Sequence, residues 1–558
     1  MGAVGTPARD GREVLLEVLR TEGVRHLFGN PGSTELPLID ALAGPGGASF
    51  HYVLALQEAT AVGMADGYAQ ATGRPAFLNL HTSAGLGNAI GNLTNAVANG
   101  TPLVVTAGQQ DWRHIVADPL LSGDLVGLAR PVSKWVHEVL TVDELGTIMR
   151  RAFHDAAAPP PGPVFVSLPM STLDAEGDLD VPPPSRVDRR TVPADLDEMA
   201  DLLVDAPIGS LAIVAGDEVA ASGGVAALVA LAEALGAPVF GAPLHATGVF
   251  PPAHPLYAGA LAPAAVAINA ALSPFRRVLA IGNHTFMVYP YTPGSAVPEN
   301  VELLHISPDA TRLGRTYPAR LGLVGDPRST LTALLPLVQR RADAGAVAVA
   351  NAAAEVRRGQ EIESLEETAL SRYANAPMDA MAAGHALVRA LPPNTTVVDE
   401  AITTGFYIRG FHHWTEPGHY FFCKGGGLGW GMPAALGVSL GHDRAPVLCV
   451  VGDGSAMYSP QALWTAAHEH LPVVFAVVNN RQYLILKGYL RGMGRDSVQA
   501  GRMVAMDIDQ PPVDYVALAQ SMGVDATLVE KAGDIGDAVS AAFESGRPHL
   551  LELPIAAP

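Results

Sequence analysis

The chain has 558 residues, 49% of them hydrophobic and only 16% charged, with a formal net charge of −20 at pH 7. That length predicts about three domains, and the apolar excess favours large buried sheets and subunit contacts over disorder. The acidic balance excludes a nucleic-acid surface, which needs a basic face. Two cysteines, Cys423 and Cys449, provide neither a disulfide framework nor a cysteine zinc site, so a reducing compartment is expected. The opening MGAVGTPARDGREVLLEVLRTEG has no apolar core of signal-peptide type, and no run of about 20 apolar residues follows it. A soluble, cytoplasmic protein with no membrane partner is expected.

In chain order, the elements fall into three α/β segments. The first runs from about residue 12 to 185: HLF ends in GNPGST, YVLAL precedes a helix starting near Glu58, PAFLNL ends in HTSAGLGNA, and PLVVTAG follows. Strands alternating with helices predict a parallel sheet wound on both sides. The proline-rich APPPGP and VPPPS punctuate the chain, and LAIVAG, APVFGA, RRVLAIGN and VELLHIS then predict a second α/β segment. An alanine-rich, charge-studded stretch reads as an exposed helical linker before the third segment. The expected limits are 1–185 for the first domain, 190–340 for the middle one, 341–374 for the linker and 375–558 for the last. No short-period repeat is visible, although the first and last segments are similar in size and style.

The third segment holds VLCVVGDGSAMYSPQALWTAAHEHLPVVFAVVNN, Val447 to Asn480. Val447–Val451 and Val473–Val478 are continuous β-branched runs, as in strands buried on both faces of a parallel sheet. Ser459 and Pro460 read as the N-cap and first residue of the crossover helix between them. Parallel strands deliver Asp453 and Asn480 to the same carboxyl edge, where open α/β sheets bind ligands. Two oxygen-bearing side chains beside glycine-freed amides suggest a hard cation and a phosphate. Magnesium wants oxygen ligands in a near-octahedral array and bridges phosphates. Asp453, Asn480 and the main-chain carbonyl of Gln482 would supply three oxygens. Gly454 and Ser455 can aim amides at a phosphate. On its own Gly-Asp-Gly, from Gly452, is also an ordinary turn.

The Gly-Asp-Gly with Asn480 27 positions after Asp453 resembles the thiamine diphosphate signature. LQEATAVGMADGYAQATGRPAFLNLHTSAGLGNA, GNPGSTELPL, VTAGQQ and FFCKGGGLGWGMPAALG extend the likeness over most of the chain. The sequence resembles the thiamine diphosphate-dependent decarboxylase and acetolactate synthase superfamily, and within it the benzoylformate decarboxylases. The resemblance implies three doubly wound α/β domains with mainly parallel sheets: a pyrimidine-binding domain, a Rossmann-like middle domain and a diphosphate- and magnesium-binding domain. It implies thiamine diphosphate and Mg2+ as cofactors, a homodimer or homotetramer with sites at subunit interfaces, and decarboxylation of a 2-oxo acid such as benzoylformate. A carboligase of acetolactate synthase or benzaldehyde lyase type, or a non-catalytic protein on the same fold, is the alternative. A flavin in the middle domain is left open.

The resemblance also assigns residues. Glu58 in LQEA bonds the aminopyrimidine ring and promotes deprotonation of the thiazolium carbon; in an apolar cleft its pKa would rise. At a helix start, a carboxylate is also commonplace. His81 becomes an acid–base group, against the alternative of a satisfied surface histidine. Ser33 takes the substrate carboxylate and carbonyl, or merely caps the helix that follows. Leu428 props the cofactor into its bent shape. Thr403, Thr404, Gly427, Gly452 and Tyr483 join the cofactor contacts, and Phe422, Ile485 and Leu486 the substrate pocket. Leu486 stands where pyruvate-decarboxylating relatives carry a glutamate, and Ile485 is bulkier than the residue expected. Lys424 is a charged intrusion into a matching stretch. Tyr289 falls at the place of a second catalytic histidine, with His284 and His114 as alternative proton donors.

Overall fold

Strands form where apolar, β-branched runs can be covered on both faces. The computed structural model describes residues 9–556; the start of the opening stretch and the extreme ends of the first and last expected domains lie outside the described residues. Three six-stranded sheets result, giving the α/β class expected. The first runs in the order His51–Leu54, His26–Gly29, Ala76–Leu80, Leu103–Gln109, Val164–Pro169, Val136–Glu138, with every pair parallel. One face is closed by helices Gly11–Thr21 and Val142–Ala157, whose Val14, Leu15, Leu19 and Met149 pack on Phe77, Val104 and Val166.

The middle sheet runs Tyr257–Ala260, Val239–Gly241, Leu211–Ala215, Arg277–Ile281, Glu302–Ser307, Leu321–Val324, again parallel. Its order reverses between Leu211–Ala215 and Arg277–Ile281, the switch point at which such sheets open a crevice. Here the chain's own acids take up that place. Glu218 Oε2 accepts the Asn283 amide at 3.0 Å. Gly282, at φ +126°, leaves the room, since a Cβ there would stand 2.5 Å from that oxygen. Asp217 accepts the amides of Ala246 and Thr247 at 2.6 and 3.2 Å and the Lys424 ammonium at 2.6 Å. Desolvation opposes ionisation of Asp217, but Lys424, His245 and the Ala246 amide together outweigh it and the carboxyl is held below its usual range. Lys424, a departure at sequence level, is thus half of a buried ion pair.

In the third sheet Val447–Gly452 pairs in parallel with Val473–Asn479, Asp525–Leu528 with His549–Pro554, and Thr396–Glu400 with Tyr420–Phe422. Helix Ala344–Ser371 lies within residues 341–374, its N-cap Asp343 accepting from Gly345 and Ala346. By compactness the chain divides into two units. One comprises the segment through Val187 with Gly425–Leu528 and Ala538–Leu553, the other Asp188–Lys424 with Val529–Asp537 and the final residues. Among the described residues no helix is long and apolar enough to cross a membrane.

Within the first unit, helix Glu58–Thr72 packs on helix Gly431–Gly441 at backbone contact. A Cβ on Gly437 would lie 1.9 Å from the Met64 carbonyl oxygen, and one on Gly67 2.2 Å from that of Ala434. Two corrections concern the crossover after Asp453. Its helix is Ala462–His468 with Gln461 at the cap, because Ser459 and Pro460 form a preceding turn. The Ser459 hydroxyl is buried without bonding the helix, so it is not the N-cap.

Gly437→Ala is expected to cost at least the ~1–3 kcal/mol of an overpacked core, because backbone rather than a movable side chain blocks the methyl. Denaturant melts of the two proteins measure this. Lys424→Ala strands a buried carboxylate and should cost about 3–5 kcal/mol, whereas Lys424→Met combined with Asp217→Asn should recover most of it. A double-mutant cycle on unfolding free energy checks the pair.

Candidate active site

Gly452 and Val478 are partners at the end of the central strand pair, so both chain segments leave the sheet at one edge. Asp453 opens a one-turn helix and is only 3% exposed. Arg481, at φ +57°, turns the chain so that the Gln482 amide reaches the Asn480 Oδ1 at 3.1 Å. The nearby Gly454, Arg481 and Gln482 amides favour the ionised Asp453 carboxyl. Desolvation nevertheless dominates and pushes its pKa up to about 6, the amides only partly opposing. Asp453 Oδ2 has no partner at all. An uncompensated buried oxygen beside an amide side chain suits a hard cation that restores the ionised form.

The surroundings complete that edge. Gly454 faces the Tyr483 ring, which a Cβ would meet at 2.5 Å. The Tyr515 hydroxyl donates to the Asp453 carbonyl at 2.7 Å, and Ser455 is buried beside it. Among the described residues no cluster of three or more His, Cys, Asp or Glu side chains could hold a metal. Asp453, Asn480 and the Gln482 carbonyl would hold Mg2+, with other oxygens coming from a diphosphate bound beside them. The residues fit thiamine diphosphate and Mg2+.

Glu58 is the first residue of helix Glu58–Thr72, capped by Gln57, whose side chain accepts the Thr60 amide at 3.1 Å. Its carboxyl is met by two amides rather than an apolar wall: Asn30 donates to Oε1 at 3.4 Å and Asn88 to Oε2 at 3.0 Å. Gly85 sits between Glu58 and His81, its Cβ position being 3.1 Å from Glu58 Oε1 and 3.4 Å from His81 Cβ. These two residues are therefore neighbours. His81 caps helix Thr82–Asn99, whose first residue Thr82 has φ +42° although β-branched. Such strain persists only where the surroundings over-determine it.

His81 Nδ1 lies 2.8 Å from Oε2 of Glu35, which is 1% exposed. Glu35 also accepts the Gly32 and Gly108 amides at 2.9 Å each and the Thr34 hydroxyl at 2.7 Å. A carboxylate facing Nδ1 makes that nitrogen the donor and leaves Nε2 as the working atom. Glu35 was missed at sequence level, although it stands two positions after Ser33. No spacing in the chain signals the pair; in the fold, glycines make room for it. A Cβ on Gly32 would be 2.3 Å from the His81 ring, and one on Gly108 2.2 Å from Glu35 Oε1. Ser33 is exposed and makes no side-chain cap to the following helix.

Leu428 is half-buried between Gly427 and Gly429. Ile485 is half-buried and Leu486 41% exposed on helix Leu484–Gly492. Thr403, Thr404, Phe422 and Tyr289 belong to the second compact unit. Thr404 is buried at the start of helix Gly405–Phe411, and Phe422 is buried with the Arg409 guanidinium 4.0 Å over its ring. Tyr289 is 54% exposed, its amide bound to the Pro263 carbonyl at 2.7 Å. His284 is lowered to about 4 by desolvation and by the Lys424 and Arg312 cations, so it is neutral at pH 7. His114 is exposed.

Three family models match along the chain: Thiamine pyrophosphate enzyme N-terminal TPP binding domain at residues 9–124, central domain at 196–334 and C-terminal TPP binding domain at 403–553. The benzoylformate decarboxylase of Pseudomonas aeruginosa is 34% identical over 554 residues, covering 96% of this chain and 97% of the relative. An acetolactate synthase large subunit from Haemophilus influenzae is 27% identical, covering 92% and 88%. Among solved structures, a thiamine diphosphate-dependent 4-hydroxybenzoylformate decarboxylase of Rhodococcus jostii RHA1 superposes with a TM-score of 0.87 at 30% identity, covering 99% of this chain and 100% of that one. With Asp453, Asn480 and Gly454 assembled at one sheet edge inside the C-terminal match, the chain belongs to the thiamine pyrophosphate enzyme family.

Proposed function

We propose that the protein is a non-oxidative 2-oxo acid decarboxylase that converts an aryl acid of the benzoylformate type to the aldehyde and carbon dioxide. The observation that carries this reading is His81, held by buried Glu35 with Nε2 left for proton transfer beside Glu58. Thiamine diphosphate, when bound, supplies the electron sink for the carbon losing carbon dioxide. Asp453, Asn480 and the Gln482 carbonyl hold Mg2+. Gly452, Gly454, Ser455, Thr403, Thr404, Gly427, Leu428 and Tyr483 contact the cofactor. Glu58 holds a proton at the pyrimidine ring, Ser33 orients the substrate carboxylate, His81 moves a proton at the reacting carbonyl, and the Tyr289 hydroxyl donates the later one. Phe422, Ile485 and Leu486 line an apolar substrate pocket. The domain limits 1–185, 190–340 and 375–558, a cytoplasmic location and a homodimer or homotetramer complete the proposal.

The apolar pair Ile485 and Leu486 supports an aryl rather than a short polar substituent, as do relatives named for benzoylformate and 4-hydroxybenzoylformate. The acetolactate synthase relatives support the second reading, carboligation.

A panel of aromatic and aliphatic 2-oxo acids, assayed for carbon dioxide and for coupled products, tests this. Benzoylformate is expected to exceed pyruvate in kcat/KM by at least about 10-fold, the discrimination a few methylene-sized contacts provide. A preference for pyruvate with acetolactate as product would reverse the assignment. Asp453→Ala should keep the fold and weaken magnesium-dependent cofactor binding by more than the ~10-fold typical of losing a group outside the ligand shell. Chelator dialysis followed by titration with cofactor and Mg2+ measures it.

A further inference from the structure

Asp66 lies on helix Glu58–Thr72 with no surface exposed. Among the described residues no Lys, Arg or His forms an ion pair with it. Instead three side-chain N–H groups converge: Gln70 at 2.9 Å, Asn99 at 3.2 Å and the Trp430 indole at 2.7 Å. Burial raises its pKa, and these donors work against that rise. Trp430 stands two residues after Leu428. The preceding loop is gripped from helix Thr82–Asn99. Asn95, fully buried, donates to the Gly427 carbonyl at 2.8 Å and accepts the Gly427 amide at 2.9 Å. A Cβ on Gly425 would lie 2.4 Å from the Asn95 side-chain oxygen, so the loop is glycine-rich where it meets the clamp. Asn92 donates to the Gly429 carbonyl at 3.3 Å and to the Ala59 carbonyl at 2.7 Å, and accepts from Asn95 at 3.0 Å.

The backbone on both sides of Leu428 is therefore bonded to asparagines, and one of them also bonds the residue following Glu58. We propose that Asn92, Asn95 and Asp66 are positioning residues that set the place of Leu428 and couple it to the first turn of the Glu58 helix. This rests on the assignment of Leu428 and Glu58 to thiamine diphosphate, and not on the identity of the substrate. Buried amides and a carboxylate suit the task because each has few alternative partners, so the network has one low-energy arrangement. Misplacing a catalytic geometry by about 1 Å can cost on the order of 100-fold.

The test uses full-length protein stripped of cofactor and reloaded with saturating thiamine diphosphate and Mg2+. Two quantities are read: the cofactor dissociation constant and the rate of proton exchange at the thiazolium carbon of the bound cofactor. Asn95→Ala and Asn92→Ala should slow exchange by at least ~10-fold at saturation, since the prop is displaced rather than the metal site. Trp430→Phe, which keeps an aromatic side chain but removes the indole N–H bond to Asp66 and leaves a small cavity, should slow it in the same direction by less; it decides the matter if an asparagine variant does not fold. Wild-type exchange in folded variants with lowered melting temperatures would make the network purely structural and overturn the proposal. A wild type that binds no thiamine diphosphate overturns it together with the cofactor assignment. A wild type that binds and exchanges but does not turn over benzoylformate removes only the substrate reading.

Discussion

Helices Glu58–Thr72 and Gly431–Gly441 approach until the backbone of each touches the other, and much of the first unit is arranged around that contact. Glycine is required at Gly67 and Gly437 because a main-chain carbonyl already occupies the space of a β-carbon. Interiors are packed like crystals, so such a contact transmits position with little slack. The proposed proton-handling Glu58 begins one helix, and the loop carrying Leu428 runs directly into the other. Their relation is set by helix packing before any ligand arrives.

Buried carboxylates are treated differently at three places, and the differences have physical meaning. Asp217 is neutralised by a lysine, Asp66 is surrounded by neutral N–H donors, and Asp453 receives backbone amides yet keeps one oxygen unpartnered. The first two are complete within the protein. A buried polar group left unsatisfied costs more than a made bond returns. The third is therefore the place where an external cation gains most, and it coincides with the sheet edge at which ligands are expected.

His81 depends on a similar economy of space. Gly32 and Gly108 admit the ring and the Glu35 carboxylate, and the positive φ of Thr82 starts the next helix immediately behind. The carboxylate orients the imidazole through Nδ1, so its chemistry is confined to Nε2. Arg409 plays a comparable part for Phe422, stacking on the ring and keeping it in place.

The amino-acid sequence by itself determined the α/β class, the strand pair ending in Asp453 and Asn480, and the helix starting at Glu58. Those features follow from local rules: β-branched runs make buried parallel strands, and turn residues at their ends fall at one edge. Strands such as Val136–Glu138 and Tyr257–Ala260 were not legible, being short and without continuous apolar runs. The crossover cap was misassigned because a Ser-Pro pair also makes a turn. Only the tertiary structure decided that Glu35 holds His81, that Lys424 pairs with Asp217 some 207 residues away, and that Asn92 and Asn95 grip the Leu428 loop across more than 330. Partners so distant leave no periodicity or spacing in the chain; they meet because glycines allow backbones to close and because buried polar groups must find one another.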